Sequence, residues 1–221
     1  GIFTWTPDVE SQGNSALVRV RSTTGAMAQD TSDNPFVVAN NGTAYYINDN
    51  STANDLYTSS PGANVNTGKS PDQPMASLSA LLRAYDLDAG DTIFVDTGTY
   101  NLVSDILLVA EDTGVTIQGP TTDVALFDRG NTNSSSDVFE LAGADDVTIA
   151  NLSITGGKYG IHGPSNADSD NVTISGNKVF ANSSSGIRLL RTNDNPVITN
   201  NTVFGFPGGS SNTDNQSYGI W

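Results

Sequence analysis

Short β-branched triplets recur along this chain in a fixed order, and no other feature limits its possible folds so much. Val147-Thr148-Ile149 returns as Val172-Thr173-Ile174 and again as Val197-Ile198. Asn151-Leu152-Ser153-Ile154 aligns by eye with Asn177-Lys178-Val179-Phe180 and Asn201-Thr202-Val203-Phe204. Tyr159-Gly160-Ile161 returns as Ser185-Gly186-Ile187 and Tyr218-Gly219-Ile220. Three short strands in the same order, at a period of roughly 22 to 33 residues, describe a coiled β-architecture. Turn formers separate the triplets, and each strand can point one or two apolar side chains inward. Stacked coils would then bury columns of Ile, Val, Leu and Phe. The expectation is an all-β chain: a right-handed parallel β-helix starting near Thr92. Less regular versions of the triplets lie at Ile93-Phe94-Val95, Ile106-Leu107-Leu108, Val115-Thr116-Ile117, Val124 to Phe127 and Val138 to Leu141. A propeller or a sandwich is the competing architecture. Ile149 lying directly over Ile174 in a parallel pair would separate the helix from both.

Three regions follow. Residues 1–43 resemble the last strands of an immunoglobulin- or fibronectin-like β-sandwich. The runs are Ile2-Phe3-Thr4-Trp5, the alternating Ala16 to Arg21, and Asn34 to Val38. Residues 44–90 hold a leading strand (Ala44 to Ile47), a polar loop from Asn48 to Lys69, and a helix. Leu78, Leu81, Leu82 and Tyr85 share one face of that helix. Asp72 is the expected N-cap, with Pro74 in the first turn. Such a helix is placed to cover the open end of a strand stack. Residues 91–221 carry the coils, which are expected to continue beyond Trp221.

The formal charge is −15, and Glu occurs only at Glu10, Glu111 and Glu140, so the acidity is almost all Asp. Nucleic acid is excluded as a partner, because phosphate binding needs clustered Lys and Arg. Docking on anionic lipid is disfavoured for the same reason, and no run of about 18 apolar residues offers membrane insertion. Cysteine is absent, so no disulfide framework exists.

The stretch Asn64-Val65-Asn66-Thr67-Gly68, Pro71, Pro74, Ser77-Leu78, Gly90-Asp91-Thr92-Ile93-Phe94-Val95 and Gly98-Thr99-Tyr100 resembles the opening of pectate-lyase-like β-helix proteins. The later coils are similar to that superfamily's general repeat. The resemblance implies fold more than activity. Its members include lyases and hydrolases of acidic polysaccharides, alginate epimerases, phage tailspikes and large bacterial surface proteins. The sandwich-like start most resembles the last group. That implies a structural or adhesive module of an extracellular or cell-surface protein, with polysaccharide or neighbouring surface domains as partners. The alternative is a polysaccharide lyase or C5-epimerase acting on acidic polysaccharide.

By that analogy a groove would run along the strand containing Gly-Ile, where Tyr159, His162, Arg188 and Trp221 would face substrate. His162 is the sole histidine. A lyase needs a base near the sugar C5 and a group neutralising the carboxylate, roles open to His162 and Arg188. Both would also be at home as solvated residues on a sheet face. The Asp-Pro-His-Glu run of alginate epimerases is absent, since Gly163-Pro164 follows His162. No Asp triad matching the calcium site of pectate lyases and no paired Asp column of polygalacturonase type is visible. Asp145, Asp170 and Asn195 are expected to fall in one turn column, with Asp146 and Asn171 in the next. Stacked carboxylates can bind Ca²⁺, or simply cap each strand as Asx turns. Asp49 and Asp55 form a second oxygen-rich candidate for Ca²⁺.

Overall fold

The computed structural model describes residues 13–25, 28–39, 41–133, 135–205 and 218–220. It divides into two compact units, Gly1–Gly42 and Thr43–Trp221. In the first, β1 (Gly13–Ala16) pairs antiparallel with β4 (Phe36–Val38), and β2 (Arg19–Arg21) with β3 (Gln29–Thr31). The expected single strand from Ala16 to Arg21 is therefore split. At Val18 the chain leaves β4 for β3, its carbonyl accepting from Ser32 N at 2.8 Å. The Ile2 to Trp5 run lies outside the described residues.

The second unit is a parallel β-helix. It opens with β5 (Ala44–Ile47) and the helix α1 (Leu78–Ala84). Five rounds of three strands follow among the described residues. They are β6 to β8 (Thr92–Val95, Gly98–Asn101, Ile106–Val109) and β9 to β11 (Thr116–Gln118, Ala125–Asp128, Phe139–Ala142). Next come β12 to β14 (Thr148–Ala150, Ser153–Thr155, Tyr159–Gly163) and β15 to β17 (Thr173–Ser175, Lys178–Phe180, Ser185–Leu189). The last round is β18 to β20 (Val197–Thr199, Thr202–Phe204, Tyr218–Ile220). Each strand pairs in parallel with its counterpart one round on, giving sheets β5-β6-β9-β12-β15-β18, β7-β10-β13-β16-β19 and β8-β11-β14-β17-β20. Parallel crossovers of this kind wind right-handed.

Register makes the columns explicit. Ile93, Ile117, Ile149, Ile174 and Ile198 stack in the first of these sheets. Tyr100, Phe127, Ile154, Val179 and Val203 stack in the second, and Ile106, Phe139, Ile161, Ile187 and Ile220 in the third. Ile149 lies over Ile174, as the triplets require. Most of these side chains are fully buried, each contributing about 1.5–3 kcal/mol of hydrophobic stabilisation. Tyr100 and Phe127 stack at 5.0 Å, and Phe127 meets Phe139 edge-on at 5.3 Å.

The turn columns are shifted by one residue from the sequence alignment. Ala150 pairs with Ser175, so Asn151 lies opposite Gly176, and the next column is Leu152, Asn177, Asn201. The expected Asn151-Asn177-Asn201 column is thus two columns. Asn151, Gly176 and Asn200 take left-handed backbone, with φ of 56°, 68° and 56°. That conformation is tolerated by Asn and Gly. Asn177 and Asn201 form the internal ladder. Asn177 Oδ1 accepts from Leu152 N at 3.0 Å, and Asn177 Nδ2 donates to the Ile149 carbonyl at 2.9 Å. Asn201 Oδ1 accepts from Asn177 N, also at 2.9 Å.

The helix begins later than Asp72. Its N-cap is Ser77, whose hydroxyl accepts from Ala80 N at 3.3 Å. Pro74 lies ahead of the helix, and its carbonyl accepts from Ala63 N, while Asp72 pairs with the Ser70 hydroxyl. Leu78 and Leu81 are buried in the core, with Leu82 and Tyr85 packed against it, so the apolar face is as expected. The helix contacts β8, the edge strand of its sheet. The long loop before it is tied down by Asp96, which is fully buried. Its carboxylate accepts from the backbone N–H groups of Leu56, Tyr57 and Thr58 at 2.6–2.8 Å. No described helix is long and apolar enough to cross a membrane.

Candidate functional site

Alternate residues of a strand face opposite ways, so the buried column Ile106, Phe139, Ile161, Ile187 has an outward partner column one residue on. That column is Leu107, Glu140, His162 and Arg188, in register across β8, β11, β14 and β17. Neighbouring backbones sit about 4.8 Å apart. The anticipated closeness of His162 and Arg188 is therefore real, and Glu140 joins them.

Around the column the contacts are dense. His162 Nδ1 lies 2.6 Å from Asp137 Oδ2, and the Asp137 side chain is only 6% exposed. Asp137 Oδ1 and His162 Nε2 are buried and have no hydrogen-bond partner. Tyr159 opens β14 with its ring 4.4 Å from that of His162, and its phenolic oxygen accepts from the Arg188 guanidinium. The guanidinium carbon lies 4.8 Å from the centre of the same ring. Asp105, just before β8, pairs with Arg129 Nε at 2.8 Å. Asp105, Asp137 and Glu140 bring carboxylate oxygens within 4.8 Å of one another. Burial pushes the Glu140 carboxyl above its ordinary range. Asp137 and Asp105 push it the same way, and His162 opposes them.

Beyond Leu107 the same face opens into a cavity of about 1030 Å³ between α1 and β8. Leu82, Leu107 and Val109 give it apolar walls. Asp86, Asp105, Glu111 and Asp112 face Arg83 and Arg129 across it.

Of the residues singled out in the sequence, Tyr159, His162 and Arg188 thus meet at one place. Trp221 lies outside the described residues. Asp145 and Asp170 stand elsewhere, where their turn stack is one of backbone acceptors. Asp145 Oδ1 accepts from Asp170 N and Asp170 Oδ1 from Asp194 N, both at 2.7 Å. The column accordingly runs Asp145, Asp170, Asp194. Asn195 belongs instead with Asp146 and Asn171, all three left-handed at φ of 54° to 56°. Asp49 accepts from Ser51 N and Thr99 N, and Asp55 accepts from Asn48 Nδ2, so both organise the loop. Burial raises the Asp55 carboxyl, with Asp96 and Asp49 adding to the effect and hydrogen bonds from Asn48 and Thr58 opposing it. Asp105, Arg129, Asp137 and Glu140 escaped the sequence reading. The available signal was an acidic residue just ahead of the third strand in two successive rounds, Asp105-Ile106 and Asp137-Val138.

Stacked parallel coils define the fold class: a pectate-lyase-like parallel β-helix. Pectate lyase Pel9A shares the fold, with a TM-score of 0.51 over 72% of this chain and 46% of that one, at 16% identity. This chain thus spans less than half the length of that lyase. A rhamnogalacturonan lyase aligns at 14% identity and a TM-score of 0.42, over 81% of this chain and 63% of that one. No curated protein matches the sequence. Residues 88–219 match the family described as "Periplasmic copper-binding protein (NosD)", and the chain belongs to that family.

Proposed function

We propose that this chain is a structural, ligand-contacting module of an extracellular or cell-surface protein that lays the outward face of β8, β11, β14 and β17 against polysaccharide. The observation that carries this reading is the in-register column Glu140, His162, Arg188 continuing into the cavity beside α1. Three polar side chains in succession adjoin the apolar Leu107 there, the mixture that sugar rings with polar edges and apolar faces require. The first unit serves as a neighbouring domain in the same long protein. Affinity electrophoresis through gels containing a panel of polysaccharides tests the reading. Retardation by at least one polymer, reduced in Arg188→Ala, is expected; unchanged mobility in all of them would remove it.

The lyase reading draws support from the 2.6 Å contact between Asp137 and His162, which orients an imidazole as a base requires. The Gly163-Pro164 that follows His162, in place of the Asp-Pro-His-Glu run of alginate epimerases, counts against it. Binding is therefore favoured over catalysis. Absorbance of unsaturated sugar ends after incubation with pectin or alginate is expected to stay flat; a rise that vanishes in His162→Ala would reverse the preference.

The metal in the family's name does not fit the donors present. Copper sites draw on thiolate, thioether and imidazole ligands. This chain has no Cys, one His and two Met. Met75 is buried in the core, and His162 Nδ1 is engaged by Asp137. Ca²⁺ suits oxygen ligands, and the Asp145-Asp170-Asp194 stack is where it would stiffen the coils. Melting with and without a chelator tests this, and an unchanged midpoint would refute it.

A further inference from the structure

Resting on the polysaccharide reading, we propose that the α1 end of this sheet face recognises an amino sugar through its free ammonium group, held by Asp105, Asp137 and Glu140 beside the cavity between α1 and β8.

The three carboxylates lack matching positive charge. Arg129 satisfies one oxygen of Asp105, and His162 satisfies one oxygen of Asp137. The other Asp137 oxygen is buried without a hydrogen bond, on a side chain that is 94% covered. A buried acceptor left without a partner is costly, and more so when charged. That orphaned oxygen points to a donor supplied from outside the chain. Glu140, held against its own ionisation first by burial and then by Asp137 and Asp105, with His162 opposing, would be relieved by a bound cation.

Geometry and stoichiometry choose between cations. An ammonium carries three N–H donors, and charge-assisted bonds to carboxylate are about 2.8 Å long. Three oxygens arranged tetrahedrally about such a nitrogen stand about 4.6 Å apart. The observed oxygens lie within 4.8 Å of one another, a spread that admits such a nitrogen, so the choice between cations falls to ligand number and surroundings. A hard divalent ion asks for about 6–8 oxygen ligands. The trio offers three residues, and one of them is shared with a guanidinium. A bare ion also has no use for Leu82, Leu107 and Val109, whereas the body of a sugar does. Four carboxylates against two guanidiniums line the cavity, which disfavours a uronate at this end. Arg188 stands two strands away from Glu140, so an acidic unit would sit at the opposite end of the column.

The test is isothermal titration of the full chain with four probes: glucosamine oligomers, their N-acetylated counterparts, galacturonate oligomers and Ca²⁺. Binding of the free-amine oligomer at least tenfold tighter than its N-acetylated twin is expected. Glu140→Gln should reduce that binding about tenfold or more, and Asp105→Asn should reproduce the loss with an unchanged circular dichroism spectrum. Preference for N-acetylated or uronate oligomers would overturn the ammonium claim and leave the polysaccharide reading standing. Failure of every sugar would remove both. Ca²⁺ binding that Glu140→Gln abolishes, without amine selectivity, would reassign the trio to a metal.

Discussion

Asn177 shows how much one side chain holds in this fold. It is 1% exposed and bonds to the round before it and the round after it. Asn177→Ala keeps the backbone bond to Asn201 but removes the side-chain bonds, stranding the Leu152 amide and the Ile149 carbonyl. A loss of about 2–4 kcal/mol is expected from two orphaned buried groups, read as a shift in urea midpoint. Leu152 itself occupies the same column without an amide, so Asn177→Leu is expected to cost less. Glu140 yields a pH prediction. Its folded carboxyl is raised above the unfolded value, mainly by burial, with Asp137 and Asp105 adding and His162 opposing. Protonated Glu140 is therefore favoured in the folded state, a stabilisation present at acid pH and lost as pH rises through the raised value. Glu140→Gln should raise the melting temperature near neutrality and flatten its fall between mild acid and neutral pH. Equal slopes in both proteins would contradict the assignment. At this scale the sequence was partly misleading. Repeated Asn was visible, but matching Asn to Asn placed Asn151 over Asn177, whereas the backbone pairs Ala150 with Ser175. Two adjacent positions each want Asn for different reasons, one for left-handed backbone and one for buried hydrogen bonds, and letters alone do not separate them.

Among elements, the strands were the most legible, because β-branched triplets between Asn, Asp and Gly leave few alternatives. The helix was legible by its apolar face but not by its start. Pro74 beside Asp72 mimics a helix opening, yet Pro74 spends its carbonyl on the preceding loop, and Ser77 caps instead. Ser77→Ala should cost about 1 kcal/mol. Leu81→Ala, at a fully buried position, should cost about 2–5 kcal/mol. We propose that α1 covers the stack at β8, and exposure of apolar surface to a hydrophobic dye in Leu81→Ala is the expected sign. The acidic trio was illegible because it joins residues of two rounds whose intervening loop is long. Asp105 and Glu140 meet only once β8 and β11 are placed in register.

For the whole molecule, charge sets the response to solvent. A formal −15 with few cations makes compaction work against self-repulsion. Added salt screens exposed charges over about 10 Å at 0.1 M, so the melting temperature should climb with sodium chloride. A midpoint independent of salt would show that the acidic side chains are already neutralised locally. The fold could be read from the sequence at this scale because nearest-neighbour stacking repeats one simple rule. The acidic surroundings of His162 could not, because what an outward residue faces depends on the loops and the helix beside it.

The equivalence of Thr116, Thr148 and Thr173 makes one round a removable segment. Excising residues 148–172 would join Val147 to Thr173 and let β9 meet β15 without a register slip. The product would be shorter by one strand spacing, about 4.8 Å, and would set Glu140 directly beside Arg188 with no imidazole between them. Opposite charges that the natural molecule keeps two rungs apart would become neighbours and pair with each other.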